Sequence, residues 1–517
     1  MKKLFARARA QVARATGMGV ALCFGVSAAL ADDDPFFVQD LRLEGRVVQA
    51  DLADLDGDSR GDLLCVVTSG LPPNERREIH VFFQGDDGSF AAKPDWKGPL
   101  PSGAAAYDLA NLDDSPATEL VLLRRDRLTL FSMPGRSPSF RDLPLGIEPS
   151  IAVVVDERGL DRMMLVREGL GDGPRLVAPG MSWTAVLDPG GEVLGLLEVG
   201  ARANYYLPQR PGPLVSESEV EIYLDHPRLS IGDVNGDGRG DVISANRHEL
   251  KVFLQNAQGR FPAKPSRSIA LGRVTPEDHV RNSGLVRVDG SDLNGDGLVD
   301  LLVSTSSGSV FDATTVVGFH LNQGGQWNLD APDQVFRTVG GMNANMLVDI
   351  DGDGAVELME VRVPTGVLEI VEVLVTRAID ANVTLHRRAD SGLFETEPWH
   401  SRKLGVAWDF ETFRSKGFVP TLSADFNGDG MLDMLNSGDG DQLEVHLGSN
   451  TDGYGARHAT QTLDTSGRIR FGDLDADGLS DFVLYSPRRP ELPVRVGTNR
   501  GVLPGTRRET TLEASGG

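Results

Sequence analysis

The sequence predicts an all-β protein built as a single β-propeller of four-stranded blades. Three observations support this fold class. An acidic motif of nine residues recurs along the chain, a short apolar stretch rich in β-forming residues follows each copy, and the copies are spaced about 60 residues apart. No convincing amphipathic helix interrupts the pattern. One four-stranded sheet cannot bury both of its faces alone, whereas sheets stacked in a closed ring can, and closure leaves only short, protected edges.

The repeated motif is an acidic turn of the form D-x-[DN]-x-D-x-x-x-[DE]. Its six well-preserved copies begin at Asp54, Asp233, Asp292, Asp349, Asp425 and Asp473. A Gly/Asn-rich turn followed by an aromatic residue lies downstream of most copies and predicts a hairpin, as at 84–90 and 322–327. The two markers together identify two degenerate copies, which begin near 111 and 156.

The eight anchors near 54, 111, 156, 233, 292, 349, 425 and 473 predict one propeller domain over residues 32–517. We expect eight blades, with seven as the alternative. An open β-solenoid also repeats, but its coils are much shorter than about 60 residues. The two longest intervals between anchors predict insertions near 208–213 and around 396–418 that protrude from one face of the ring.

Residues 1–31 have the pattern of a secretory signal peptide and are excluded from the fold. Five basic residues and no acidic residue accompany an apolar run at 18–30, which ends in the small-residue cleavage pattern of Ala29, Leu30 and Ala31. We therefore predict an exported protein, either periplasmic or secreted/extracellular. The run is too short to span a bilayer comfortably, and no other stretch approaches about 20 apolar residues, so we expect no transmembrane segment in the mature chain.

The composition excludes two classes of partner. The chain has 517 residues and a formal net charge of −24, with 51 Lys and Arg against 75 Asp and Glu. Nucleic acid is bound through clustered cations, so we expect no nucleic-acid partner, and an anionic membrane surface would repel the chain. Cys65 is the only cysteine outside the leader, so no intramolecular disulfide is possible; its apolar, strand-like surroundings predict a buried, inert thiol.

The spacing of the acidic motif suits the coordination of calcium. Calcium takes six to eight oxygen ligands at about 2.3–2.6 Å, and alternate residues of a tight loop can point several side chains at one centre. Gly at position 6 permits the sharp turn, and the carbonyl at position 7 supplies a further oxygen. In the best copy the ligands would be Asp233, Asn235, Asp237, the Arg239 carbonyl and Asp241.

An EF-hand is the obvious competing interpretation, and the sequence excludes it. That loop requires Glu at position 12 and a helix on each side. Position 12 of the six copies is Cys65, Ser244, Val303, Glu360, Asn436 and Leu484. The flanking segments are β-forming, and position 9 is acidic in every copy.

These units resemble FG-GAP/VCBS repeats, which build the integrin α-subunit propeller and many exported bacterial proteins. The resemblance covers nearly the whole chain after the leader and implies calcium bound in hairpin loops within the blades. The implied ligands are Asp54, Asp56, Asp58, Asp62, Asp233, Asn235, Asp237, Asp241, Asp292, Asn294, Asp296, Asp300, Asp349, Asp351, Asp353, Glu357, Asp425, Asn427, Asp429, Asp433, Asp473, Asp475, Asp477 and Asp481. Two sites depart from the pattern and are expected to be weaker, because Ser59 and Ala476 replace glycines. The copies near 111 and 156 have too few carboxylates, so we expect about five or six calcium ions.

We assign no catalytic residue, because the sequence contains no recognised catalytic motif, and histidines such as His320 and His446 lie in strand-like runs that predict packing. Two function classes remain. The favoured one is a non-catalytic scaffold or binding module that engages protein or glycan at the cell surface or in the periplasm. The alternative is a carbohydrate-active enzyme, a polysaccharide lyase or hydrolase. It would use a cluster of Trp399, His400, Trp408 and Asp409, although packing within the predicted insertion is the favoured interpretation of these four residues.

Overall fold

The structure is a computed structural model that describes residues 34–71, 74–113, 115–146, 160–206, 221–276, 284–308, 313–364, 378–389, 393–409, 414–451 and 453–507. The described chain is almost entirely strand and turn, and it forms an eight-bladed β-propeller of four-stranded antiparallel blades. The predicted fold class is confirmed, with eight blades rather than seven. Among the described residues, no helix has the length and apolar character needed to cross a membrane. The predicted signal peptide at 1–31 lies outside the described residues.

Apart from the first strand, the blades follow one another around the ring in the order of the sequence. The first strand, β1 (Phe36–Leu41), belongs to the last blade. Blade 1 contains β2 (Arg46–Ala53), β3 (Asp62–Ser69), β4 (Arg76–Phe82) and β5 (Trp96–Pro99). Blade 2 contains β6 (Ala106–Ala110), β7 (Glu119–Leu123), β8 (Arg127–Ser132) and β9 (Ser139–Pro144), with β10 (Asp161–Arg162) beside β6. Blade 3 contains β11 (Val166–Arg167), β12 (Arg175–Pro179), β13 (Thr184–Leu187) and β14 (Val193–Leu197). A separate hairpin contains β15 (Arg202–Tyr206) and β16 (Glu221–Asp225).

The second half continues in the same way. Blade 4 contains β17 (Arg228–Gly232), β18 (Asp241–Ala245), β19 (Glu249–Phe253) and β20 (Arg267–Ala270). Blade 5 contains β21 (Leu285–Ser291), β22 (Asp300–Ser307), β23 (Thr314–His320) and β24 (Gln334–Val339). Blade 6 contains β25 (Met342–Val348), β26 (Glu357–Val363), β27 (Ala378–His386) and β28 (His400–Asp409), extended by β29 (Arg414–Ser415). Blade 7 contains β30 (Thr421–Ala424), β31 (Asp433–Asn436), β32 (Gln442–His446) and β33 (Ala459–Thr462). Blade 8 contains β34 (Arg468–Gly472), β35 (Asp481–Tyr485), β36 (Val494–Asn499) and β1.

Each blade is a meander whose first strand lies innermost, at the central channel, and whose fourth strand lies at the rim. The acidic motif connects the first strand to the second. Its ninth residue is the first residue of the second strand in all six preserved copies. Because the motif occupies the same place in each of these blades, the six copies lie on one face of the ring, which we call the acidic-loop face.

The hydrophobic core lies between neighbouring blades. Leu64 of blade 1 belongs to the same buried cluster as Leu120 of blade 2. The second strand of a blade is therefore covered on both faces, and all residues of 119–123 are buried. This burial explains the uninterrupted apolar run after each acidic motif. Cys65 lies in such a strand, and burial raises the pKa of its thiol, which makes it inert.

The aromatic residue after the turn between the third and fourth strands packs into the seam with the preceding blade. Phe261 of blade 4 belongs to a buried cluster with Val186 of blade 3. Trp327 of blade 5 packs in the same way, and its indole Nε1–H donates a hydrogen bond of 3.0 Å to the Val299 carbonyl. The aromatic residue that follows each Gly/Asn-rich turn in the sequence therefore packs between blades.

Blade 3 departs from the pattern of the other blades. Its inner strand β11 has only two residues, and a short loop at 168–174 replaces the acidic motif. The predicted anchor near 156 falls in 147–159, outside the described residues. Before this strand, β10 pairs in parallel with β6 on its channel side, and Arg162 donates to Asp51 of blade 1 at 2.9 Å.

The two long intervals of the sequence differ in what they contain. The first adds the β15–β16 hairpin between blades 3 and 4, and the insertion predicted near 208–213 lies outside the described residues. In the second, 400–409 forms β28, which pairs with β27 from His400 opposite Leu385 to Ala407 opposite Ala378. The prediction of a protruding insertion around 396–418 is wrong for this segment, because its residues continue the sheet of blade 6.

The ring is closed by β1, which completes blade 8 as its outermost strand. It pairs antiparallel with β36, and Gln461 of blade 7 hydrogen-bonds both backbone groups of Phe36, at 3.2 Å to its N–H and 3.0 Å to its carbonyl. The Phe36 ring is fully buried, 5.1 Å from the Phe482 ring and 5.5 Å from the Phe426 ring. The buried Phe36 side chain therefore adds apolar packing between blades 7 and 8 to the backbone pairing that closes the ring.

Replacing this side chain should destabilise the ring strongly. We expect Phe36→Ala to lower the free energy of unfolding by about 3–5 kcal/mol, because it leaves a cavity between aromatic rings. The matched control is Phe37→Ala on the same strand, where the side chain is 42% exposed and the expected change is within about 0.5 kcal/mol. Urea unfolding followed by tryptophan fluorescence measures both. Equal effects of the two substitutions would contradict this account of closure.

Candidate metal centres in the acidic loops

Six acidic loops connect first and second strands, and we number each by its blade and its residues from position 1 to 9. They are loop 1 (54–62), loop 4 (233–241), loop 5 (292–300), loop 6 (349–357), loop 7 (425–433) and loop 8 (473–481). The predicted metal ligands occupy positions 1, 3, 5 and 9 of each loop. Positions 1, 3 and 5 of each loop lie in the turn itself, and position 9 is the first residue of the strand that follows.

The Asp at position 1 folds the loop around its own carboxylate. In loop 4, Asp233 Oδ1 accepts the Gly236 N–H at 2.7 Å and Oδ2 accepts the Gly238 N–H at 2.6 Å. Loops 1, 5, 6 and 7 contain the same pair of hydrogen bonds. This turn requires a left-handed backbone, and Ser59 and Ala476 adopt it at φ 68° and 57° in place of glycine. Loops 1 and 8 therefore carry backbone strain that the other four avoid.

Position 3 divides the loops into two groups. In loops 4, 5 and 7 it is Asn, whose amide donates to the carboxylate at position 5, as from Asn235 to Asp237 at 3.0 Å. In loops 1, 6 and 8 it is Asp, and three carboxylate oxygens lie within 4.8 Å of one another. The three clusters are Asp54, Asp56 and Asp58; Asp349, Asp351 and Asp353; and Asp473, Asp475 and Asp481. The Asn loops are closed by hydrogen bonds, whereas the Asp loops concentrate negative charge.

The Asp loops fit a hard divalent cation. Carboxylates at this separation repel one another, and an oxygen-only donor set of this kind suits calcium. In loop 6, Asp351 Oδ1 is shielded from solvent and has no hydrogen-bond partner among the described residues. In loop 8, burial together with the neighbouring Asp477 carboxylate raises the pKa of Asp475 to about 6. Both observations indicate carboxylates that a cation would stabilise.

The acidic residue at position 9 is buried and anchors the loop to its blade. Asp481 Oδ2 accepts the Leu474 N–H and its Oδ1 accepts the Asn499 N–H, both at 2.6 Å. Loops 1, 4, 5 and 7 have equivalent pairs. Burial is the main cause that raises the pKa of Asp62 to about 7, Asp241 to about 6, Asp300 to about 6, Glu357 to about 7, Asp433 to about 7 and Asp481 to about 8. The motif predicted only a metal ligand at position 9, and the anchoring role of this carboxylate becomes visible in its buried hydrogen bonds.

The acidic loops also join neighbouring blades. In loops 1, 5, 7 and 8, the N–H at position 8 donates to a backbone carbonyl at position 1 or 2 of the loop in the preceding blade. These hydrogen bonds run from Val299 to Asp233, from Leu432 to Ile350, from Ser480 to Asp425 and, across the ring closure, from Gly61 to Leu474, each at 2.8 Å. A cation that ordered one of these loops would therefore act on two blades.

Three buried histidines near the acidic-loop face have a structural role. His320, His386 and His446 end the third strands of blades 5, 6 and 7, and their Nδ1 atoms hydrogen-bond the carbonyls of Asn328, Glu395 and Ala456 at 2.7, 2.9 and 2.8 Å. Burial lowers the pKa of His320 and of His446, which favours the neutral imidazole that donates this bond. These side chains hold the turn before the fourth strand.

The structure does not bring together the residues considered for sugar binding or catalysis. Trp399 and His400 lie at one end of β28, where His400 Nε2 accepts the Tyr454 N–H at 3.3 Å. Trp408 and Asp409 lie at the other end of that strand. An extended strand rises about 3.3 Å per residue, so these two pairs are about 26 Å apart. No single site contains all four residues.

A cleft of about 920 Å³, which we call the polar cleft, lies between blades 7 and 8 on the face opposite the acidic loops. Loops between second and third strands form it, together with the connection between the two blades. Its charged lining includes Asp439, Asp441, Asp464, Arg488 and Arg489. Charges of both signs within one cleft can hydrogen-bond polar groups of a ligand.

No protein-family model and no curated protein matches the chain. Solved structures match over most of its length at low identity. A lectin from Agrocybe aegerita that recognises non-reducing terminal N-acetylglucosamine is 14% identical over 88% of this chain and 86% of its own, with a TM-score of 0.37. Sqt1 from Chaetomium thermophilum is 11% identical over 90% of this chain and 100% of its own, at 0.42. The Dos1 propeller is 8% identical over 90% of this chain and 94% of its own, at 0.31. Likeness at this level concerns the fold and carries no argument about function.

Proposed function

We propose that the chain is an exported, calcium-stabilised β-propeller of the FG-GAP/VCBS type, periplasmic or extracellular, that serves as a non-catalytic module for binding protein or glycan. The observation that carries this proposal is the position of the three-carboxylate clusters, which lie in loops at the seams between blades. A cation there neutralises repulsion and supports the hydrogen bonds that join blades. This role replaces the disulfides that a chain with one cysteine outside its leader cannot form.

The calcium ligands would be the side chains at positions 1, 3 and 5, with the carbonyl at position 7. The position 9 carboxylate contributes as well, since each of its oxygens retains a second lone pair after accepting a backbone N–H. In loop 8, Asp481 already lies within 4.8 Å of Asp473 and Asp475. The bound ion supplies positive charge and fixed geometry, and no chemical step is assigned to it.

The polar cleft is the surface that we propose for the partner. The metal loops occupy the other face, so binding a partner here leaves them undisturbed. The cleft offers carboxylates that accept and guanidinium groups that donate hydrogen bonds, which suits the hydroxyl groups of a glycan or the polar side chains of a protein.

Removing calcium should destabilise the protein. With free calcium at 100 times Kd, each site contributes about 2.7 kcal/mol, so several sites together should shift the melting temperature by about 10 °C or more. The measurement is thermal melting of metal-stripped protein in EGTA and after calcium is restored, with the bound metal counted by mass spectrometry. An identical melt in both buffers, or folded protein free of metal in millimolar calcium, would contradict the proposal.

Exchanging the residue at position 3 should change the stability in opposite directions with and without calcium. In EGTA, Asp351→Asn should raise the free energy of unfolding by about 1 kcal/mol, because it removes one charge from the cluster and lets the amide donate to Asp353. In calcium, the same substitution should reduce the stabilisation that the ion provides.

The reverse substitution in an Asn loop is the matched control. Asn427→Asp should destabilise the protein in EGTA and increase the gain in melting temperature on adding calcium. Titrations of both variants by calorimetry test this pair. Shifts of the same sign in both buffers would mean that position 3 does not face the ion.

A partner should be lost when the cleft changes but the metal loops do not. We expect a glycan array in calcium, or capture from extracts of the native host, to yield a ligand whose binding falls at least tenfold in the double variant Asp439→Ala/Arg488→Ala. Arg260→Ala, at an exposed ion pair near the rim of blade 4, is the control and should bind normally. Turnover of a polysaccharide by the wild-type protein would favour the enzymatic alternative.

A further inference from the structure

Loop 1 has a feature that the other Asp loops do not share among the described residues. Arg136, from the turn between β8 and β9 of blade 2, extends into loop 1 of blade 1. Its Nε lies 2.7 Å from Asp56 Oδ2, and a terminal nitrogen lies 3.7 Å from Asp58 Oδ2. The Asp56 side chain is only 4% exposed, so this guanidinium neutralises a buried carboxylate at position 3.

The position of Arg136 is set by its surroundings. The preceding Gly135 donates its N–H to the Asp56 carbonyl at 2.8 Å, which ties the turn to loop 1. The guanidinium carbon lies 4.5 Å from the centroid of the Phe83 ring, a cation–π arrangement. Arg136 also adopts a left-handed backbone with φ of 65°, a conformation that only tertiary contacts would maintain in this residue.

Comparison with the other acidic loops shows that the contact between Arg136 and Asp56 is the feature specific to loop 1. Arg60, at position 7 of loop 1, donates to Asp58 at 2.6 Å, but Arg239 makes the same contact with Asp237 in loop 4. In loops 6 and 8, no described Lys or Arg lies within 4 Å of the carboxylate at position 3. Loop 1 therefore has the carboxylates of an Asp loop and a fixed positive charge as well.

We infer that Arg136 takes the place of the metal ion in loop 1, so that this loop is closed by a tethered guanidinium and does not depend on calcium. The inference rests on the proposed function, because it keeps calcium in the other loops and removes loop 1 from the proposed calcium sites. The guanidinium occupies an oxygen of Asp56 that a calcium ion would need, and its charge repels a second cation. The seam between blades 1 and 2 then stays ordered when calcium is removed.

Hydrogen exchange of the loop amides in calcium and in EGTA tests the inference directly. In the wild-type protein, amides of 54–60 should exchange at the same rate in both buffers, whereas amides of 349–357 should exchange at least tenfold faster in EGTA. The Gly61 amide is left out because it donates to Leu474 of loop 8. In Arg136→Gln, the amides of 54–60 should become calcium-sensitive, and metal analysis should find one more bound ion than in the wild type. Arg127→Gln, whose ion pairs with Asp126 and Asp142 lie elsewhere in blade 2, is the control and should match the wild type.

The outcomes separate this inference from the proposed function. Calcium-sensitive exchange of both loops in the wild-type protein, or an unchanged ion count in Arg136→Gln, would overturn the role of Arg136 while leaving calcium binding intact. Exchange that ignores calcium in both loops, together with no bound ion, would overturn the proposed function and this inference with it. If Arg136→Gln fails to fold, the comparison of the two loops in the wild-type protein still decides.

Discussion

The ring depends on hydrogen bonds between blades that pass through loops of like charge. The N–H of Ser480 donates to the Asp425 carbonyl, so loops 7 and 8 are joined where both collect carboxylates. Repulsion within a loop therefore weakens contacts between blades as well as the loop itself. The buried carboxylate at position 9 limits this effect: Asp481 accepts backbone N–H groups of its loop and of β36, which ties the loop to the blade without a metal. What remains to be neutralised is the charge at positions 1, 3 and 5.

Two features of the loops reduce this repulsion without a metal. In loops 4, 5 and 7 an Asn at position 3 removes one charge and donates to position 5, as Asn427 does to Asp429. In loop 1 Arg136 supplies a positive charge from the next blade. In loops 6 and 8, position 3 is Asp and no described Lys or Arg lies within 4 Å of its carboxylate, so neither feature reduces the repulsion there. A protein with six similar motifs would thus respond unevenly to calcium, because the electrostatic demand differs from loop to loop.

The sequence predicted those parts of the structure that repeat. Position 9 begins the second strand each time because its carboxylate must reach the loop backbone, so the motif marks the strand boundary. Blade 3 could not be predicted in the same way, because its short loop lacks the motif. The hydrogen bond from Gln255 of blade 4 to the Leu170 carbonyl of this loop is equivalent to the one from Asn322 of blade 5 to the Val234 carbonyl of loop 4. The role of Arg136 could not be predicted either, because it belongs to no sequence motif and depends on a contact with Asp56, 80 residues away. The four residues proposed as a cluster on 399–409 were close in sequence, but an extended strand separates them.

The closure of the ring combines contacts that respond differently to solvent conditions. At the rim, β1 adds backbone hydrogen bonds and the buried Phe36 ring, which are insensitive to metal. At the channel, the Tyr485 hydroxyl of blade 8 donates to Gln49 of blade 1 at 2.6 Å, and the Asp51 carboxylate of blade 1 faces Arg470 of blade 8 at 3.6 Å. Among the described residues at this closure, the candidate metal site is loop 8, on the acidic-loop face. A ring that is joined at its rim and at its channel by neutral or paired groups can lose an ion from one face without opening. Calcium in this architecture would therefore order the loops and strengthen the contacts between blades of a ring that is already closed.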